Sequence, residues 1–170
     1  METHSKVFFS NTVQRSTGVE SDLILICDNF STPENIGSIV RLAVNANAAK
    51  LIIIGSEGCR QSKVKKTAGA ALAYIPVEHI SVEELMEAIP TGFTTIALET
   101  TAGAKELYGG ILPQKLALVL GNEKYGVSEE VLRQCNASVY IPMIGPIKSM
   151  NVSHAASVCV FEWLRQNLVS

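Results

Sequence analysis

The sequence predicts an α/β fold, a mostly parallel sheet flanked by helices. Three observations carry that expectation. Short apolar runs alternate with amphipathic stretches along the chain. Several of those runs, such as LILIC (23–27), are apolar without a break, as in strands covered on both faces. The stretches between them open on helix-start signals, Thr32-Pro33-Glu34 being the clearest.

Taken in order, residues 1–20 are polar and weakly periodic and are expected to form an N-terminal arm, with residues 21–170 as one domain. LILICDN (23–29) is the first strand. A helix follows from Thr32 as N-cap, with Ile36, Ile39, Val40, Ala43 and Val44 at helical spacing. KLIIIG (50–55) is a second buried strand. SKVKKTAGAAL (62–72) reads as a short basic helix and YIPVEH (74–79) as a short strand. SVEELMEAI (81–89) reads as a helix with a capping box from Ser81 to Glu84. FTTIALET (93–100) and KLALVLG (115–121) are strands, SEEVLRQC (128–135) a helix, SVYIPM (138–143) a strand. NVSHAASVCVFEWLRQNL (151–168) is a long final helix.

Composition narrows the function. The chain has 170 residues, enough for one sizeable core, and is 47% hydrophobic, too apolar for disorder. No apolar run approaches the roughly 18 residues of a membrane span, and the first residues lack a signal-peptide core. The expected compartment is therefore the cytoplasm, with no membrane partner. Cys27, Cys59, Cys135 and Cys159 are scattered and form no CxxC pair, so reduced thiols are expected rather than a metal site. The formal net charge of −2 argues against whole-surface nucleic-acid binding but not against a local basic patch.

In open parallel sheets, function sits in the loops beyond the carboxyl ends of the strands. Three such segments are unusual. In DNFSTPENIGSIVRLAVNA (28–46), Glu34, Ser38, Arg41 and Asn45 share one polar helix face. Arg41 offers a forked donor suited to phosphate, and Asn35 sits in the first turn near free backbone N–H groups. In LVLGNEKYGVSEEV (118–131), Gly121 allows close backbone approach to a ligand and Glu123 is a strand-end carboxylate. Neither a P-loop nor GxGxxG is present. In IPMIGPIKSMNVSHAAS (141–157), Pro142, Gly145 and Pro146 stiffen a loop with apolar walls at Ile141, Met143, Ile144 and Met150. Ser149 and Asn151 compete for the N-cap of the last helix, leaving one polar group free.

NIGSIVR (35–41), LGNEKYGVS (120–128) and IPMIGPIKSMNVSHA (141–155), in this order, resemble the three motifs of the SPOUT RNA methyltransferases, specifically the TrmH-like (SpoU) branch. The resemblance covers about residues 23–165. It implies S-adenosylmethionine as methyl donor, an RNA ribose 2′-hydroxyl as acceptor, a C-terminal trefoil knot and a homodimer. Base rates alone argue against a knot. The resemblance also implies that the backbone around Leu98, Gly121, Ile141 and Met150 holds the donor's adenine and ribose, with Met143 and Ser149 alongside. The catalytic positions it implies are Asn35, Arg41, Glu123, Ser149 and Asn151. A guanidinium is a poor general base, so Arg41 is expected to grip a phosphate and stabilise the developing alkoxide.

RNA needs positive charge, and Arg60, Lys63, Lys65 and Lys66 cluster after the second strand. With Arg41, Lys124 and Lys148 they are the expected RNA-binding residues. About 20 residues precede the first strand, so target choice is expected to rest on the catalytic domain, the arm or a partner, with tRNA favoured over rRNA. Trp163, Phe161 and Val160 give the last helix more apolar surface than one core face needs, so with the first helix it is the expected dimer surface. Two other classes compete: a non-catalytic RNA-binding or assembly factor on the same fold, and a nucleotide-binding oxidoreductase whose glycine fingerprint is missing.

Overall fold

The structure, a computed structural model, describes residues 21–56 and 58–168. The expected arm at 1–20 lies outside them. Among the described residues, seven strands form one sheet: β1 (Leu23–Asp28), β2 (Lys50–Ile54), β3 (Val77–Ile80), β4 (Thr94–Leu98), β5 (Lys105–Glu106), β6 (Leu116–Leu120) and β7 (Ala137–Tyr140). Their order is β3-β2-β1-β6-β4-β7-β5, and every pairing is parallel. The helices are α1 (Pro33–Asn45), α2 (Gln61–Ala68), α3 (Leu85–Ala88), α4 (Glu129–Leu132) and α5 (Val152–Leu168).

The unbroken apolar run of β1 has a direct cause. Leu23, Leu25 and Cys27 pack on the face covered by α1 and α5, whereas Ile24 and Ile26 pack on the face covered by Leu85, Val127 and Val131. Both faces exclude water, so neither parity can be polar.

Several expected boundaries move. The basic helix stops at Ala68 because Gly69 adopts φ +58, and a 3-10 turn continues to Ala73. β3 begins at Val77, just after Pro76, which has no N–H to donate; its carbonyl accepts from Leu51. Only half of the Ser81–Glu84 capping box forms, Ser81 N donating to Glu84 at 2.8 Å, and α3 is a single turn from Leu85. Two prolines bracket this region, and a helix this short gains little from propagation. α4 is likewise one turn. The two-residue edge strand β5 is too short to leave a periodic signal. Thr32 is the α1 N-cap by position, but its side chain makes no cap hydrogen bond.

Trp163 and Val160 are core residues of this chain, 5% and 0% exposed. The Trp163 indole donates to the carbonyls of Pro113 at 2.9 Å and Gln114 at 3.2 Å. Of the three apolar residues expected to face a second copy, only Phe161 is exposed. Among the described residues, no helix is long and apolar enough to cross a membrane.

Candidate active site

The chain leaves β1 toward β2 on one side, while β6 and β4 lie on the other, so the crevice between β1 and β6 is the topological switch point. The loops leaving these two strands are joined there by side chains. Buried Asp28 accepts from Ser128 N at 2.6 Å and from Asn29 at 2.7 Å. Asn122 donates to the Asn29 carbonyl at 2.5 Å. Glu123 then reaches across to the start of α1.

Four donors converge on the Glu123 carboxylate. Ser31 N lies at 3.0 Å, Ser31 Oγ at 2.8 Å, Thr32 N at 3.0 Å and Asn35 Nδ2 at 2.9 Å. Glu123 thereby takes over the capping that the Thr32 hydroxyl does not perform, with a negative charge at the positive end of the α1 dipole. Burial alone would raise its pKa. Hydrogen bonds from the Asn35 side chain and from Ser31 outweigh that effect and hold it at about 2. The carboxylate is ionised at neutral pH and its lone pairs are occupied.

Asn35 is 7% exposed and faces two ways. Its amide nitrogen must point at the carboxylate, which can only accept. Its oxygen therefore faces Asn151, whose Nδ2 donates to it at 3.0 Å. Asn151 in turn accepts from Ser153 N at 2.8 Å, capping α5, so it wins the competition with Ser149. One hydrogen-bond chain, Asn151 to Asn35 to Glu123, thus ties the third, first and second unusual segments together.

A cavity of about 390 Å³ opens beside this chain. Leu98, Leu120, Met150, Val152 and Ala155 supply apolar wall, and Asn35, Glu99, Glu123 and Asn151 supply polar groups. Its size and mixed lining fit a cofactor with a flat apolar ring system and a cationic end. Of the expected cofactor residues, Leu98, Gly121 and Met150 line it, whereas Ile141, Met143 and Ser149 do not. Ile141 packs against the α1–α5 core, Met143 is half-buried, and Ser149 is exposed at the α5 entrance. Gly121 also makes a second close approach, within the chain itself. A Cβ there would strike the Gly126–Val127 backbone, so the glycine lets the chain's own turn close.

A larger hollow, about 610 Å³, opens on the other side of the same loops. Asn29, Ser56, His79, Glu84 and Ser128 help to line it. None of the expected catalytic residues lines it, whereas Asn35, Glu123 and Asn151 line the smaller cavity.

Arg41 does not line the smaller cavity. It is exposed on α1, its Nη1 3.8 Å from where a Cβ on Gly69 would stand, beside the end of α2. The last turn of α2 carries Lys65 and Lys66, so these three cations gather at one end of the helix pair. Arg60, Lys65 and Lys66 are exposed, while Lys63 pairs with Glu34 at 3.3 Å. Lys148 donates to the Met143 carbonyl at 2.8 Å and so braces its own loop. The sequence reading missed Asp28, Ser31 and Glu99; Glu99 accepts from Val127 N at 2.9 Å and fills the place of a Cβ on Gly126. The adjacency of Asp28 to the first strand's end was the only available signal.

Residues 22–161 match the SpoU rRNA Methylase family. The chain belongs to that family. The 23S rRNA (guanosine-2′-O-)-methyltransferase RlmB of Haemophilus influenzae is 29% identical over 89% of this chain. The chain spans less than two-thirds of the length of such curated relatives, 63% in this case. Among solved structures, the SpoU methyltransferase AviRb from Streptomyces viridochromogenes in complex with AdoMet has a TM-score of 0.77 at 27% identity. That match covers 88% of this chain and 60% of AviRb. A structure described as giving insights into 2-OH methylation of C/U34 on tRNA has a TM-score of 0.76 at 29% identity. It covers 87% of this chain and 97% of that one. The parallel seven-stranded sheet is the architecture these SpoU neighbours share.

Proposed function

We propose that this chain is an S-adenosylmethionine-dependent RNA 2′-O-ribose methyltransferase. The carrying observation is the Asn151–Asn35–Glu123 chain, which assembles the three family motifs beside a cofactor-sized cavity. Leu98, Gly121 and Met150 would hold the cofactor, with Ile141, Met143 and Ser149 in the surrounding loop. When bound, the cofactor supplies an electrophilic methyl group on a sulfonium sulfur. Glu99 and Glu123 give the cavity negative potential that favours such a cation.

The chain's own residues position the acceptor. Glu123 does not take the proton, because a carboxyl held at about 2 with four donors is a weak base. It orients Asn35, which orients Asn151 at the α5 entrance beside Ser149. Arg41 grips the phosphate next to the target ribose and stabilises negative charge on the 2′-oxygen, and the proton leaves to phosphate or water. Since Arg41 lies off the cavity, a two-fold homodimer would be needed to bring it from a second copy, with α1, α5 and exposed Phe161 near the contact. Residues 21–170 form the catalytic domain, knotted where the loop after β7 enters α5. The setting is cytoplasmic.

The RNA is read as tRNA rather than rRNA. The tRNA-related neighbour is matched over 97% of its length, so a catalytic domain of this size is its whole chain. Arg60, Lys63, Lys65 and Lys66 with Arg41, Lys124 and Lys148 would contact the phosphates.

Transfer of labelled methyl from S-adenosylmethionine into tRNA and rRNA fractions tests the reading, with Arg41→Ala as control. Label in tRNA that the variant loses is the expected result. RNA binding with no label and no donor binding would favour a non-catalytic factor.

A further inference from the structure

We propose that Tyr125 is a stacking platform for an unpaired nucleobase of the RNA, beside the ribose that is methylated. The proposal rests on the methyltransferase reading above. Its basis is how the turn after β6 is built. Asn122 N donates to the Gly126 carbonyl and Gly126 N to the Asn122 carbonyl, both at 2.9 Å. Inside that bridge, the Asn122 side-chain oxygen accepts from Lys124 N at 2.9 Å and Tyr125 N at 3.1 Å. Its amide nitrogen anchors the turn to the Asn29 carbonyl. Gly126, at φ +73, lets the turn settle onto Glu99.

Two side chains of this hydrogen-bonded turn have different surroundings. Glu123 turns inward to Ser31, Thr32 and Asn35. Tyr125 stands outward, 78% exposed, with the Lys124 ammonium 4.9 Å from its ring centroid. Single exposed aromatics are ordinary, and Tyr74 is equally exposed. Tyr125 differs in its surroundings. It is carried on the turn that supplies the site carboxylate, and a cation lies against its ring. An aromatic face with an adjacent cation is the chemistry that holds unpaired RNA bases and their phosphates. Because every base has a π-face, the platform selects for an unpaired, splayed-out nucleotide near the target and is tolerant of which base it is.

The test compares wild type with Tyr125→Ala, Tyr125→Phe and Tyr125→Trp. RNA affinity is measured by fluorescence anisotropy on unpaired RNA and on the same strand annealed to its complement. Methyl-transfer KM for RNA, S-adenosylmethionine affinity by calorimetry and sedimentation complete the set. Tyr125→Ala is expected to weaken unpaired-RNA affinity and raise KM by about 5- to 150-fold. Cofactor affinity and oligomeric state stay as in wild type, duplex affinity changes little, and Phe and Trp restore binding. Unchanged RNA affinity in Tyr125→Ala overturns the proposal, as does a loss that tracks dissociation of the protein or failed cofactor binding. Wild type that binds RNA but methylates none would sink the enzymatic reading alone, and the anisotropy series would still decide the role of Tyr125.

Discussion

Asn151 donates its side-chain amide to Asn35 Oδ1 at 3.0 Å, joining residues 116 positions apart in the chain. The other end of the Asn35 amide is committed to Glu123, so neither asparagine can flip without breaking a part-buried hydrogen bond. The site is therefore held in one arrangement before any ligand arrives.

Asn35→Asp is the sharpest probe of that arrangement. It keeps the shape but sets a carboxylate oxygen against Glu123. At pH 7 the variant is expected to lose about 1–3 kcal/mol of stability and at least about tenfold in methyl transfer, roughly one lost oriented contact. Urea unfolding and a transfer assay measure the two. Wild-type stability in the variant would mean that the bond contributes nothing.

The Glu123 carboxyl has a folded pKa of about 2, lowered from 4.5. Its contribution to stability is fully present above pH 4.5 and is lost as pH falls from there toward 2. Glu123→Gln should be less stable than wild type at neutral pH, and the gap should narrow on acidification through that window. Urea midpoints across pH 2–7 report it; a constant gap would show that the carboxylate charge is not what matters.

Arg41 is expected to act through its fork. Arg41→Ala should lower methyl transfer by about 10²–10³-fold, the loss typical of one donor to developing charge. Arg41→Lys keeps the charge and should recover only a small part. Near-wild-type transfer by the lysine variant would sink the bidentate grip.

Gly121→Ala would place a Cβ against the Gly126–Val127 backbone. The expected cost is about 1–3 kcal/mol of stability, together with a loss of cofactor affinity, because the same glycine lines the cavity. Thermal melts with and without S-adenosylmethionine separate the two effects; affinity that falls only as the folded fraction falls would show that this glycine serves the turn alone.

Trp163→Phe removes the donor to Pro113 and Gln114 while keeping most of the ring volume. A loss of about 1–2 kcal/mol and a Tm lower by roughly 3–6 °C are expected. A sedimentation shift toward monomer without loss of Tm would return this residue to the dimer surface.

The sequence by itself determined the sheet and its two coverings. Runs such as LILIC and LALVL, set between helix-start signals, read as strands buried on both faces, and the spacing of Ile36, Ile39, Val40 and Ala43 reads as one buried side of a helix. The ordered motifs also marked Asn35, Glu123 and Asn151. Their individual tasks became visible only in three dimensions. Which polar group caps α1 was decided by Glu123, from 88 positions beyond Asn35, because hydrogen-bond partners are chosen by proximity and not by order along the chain. The sequence likewise proposed Trp163 as surface and Gly121 as a ligand approach. Tertiary packing placed the first in the core and gave the second, which does line the cavity, the closing of a turn as well. Periodicity reports which residues leave water; it carries no information on whether a neighbour from the same chain, a second copy or a ligand takes the water's place.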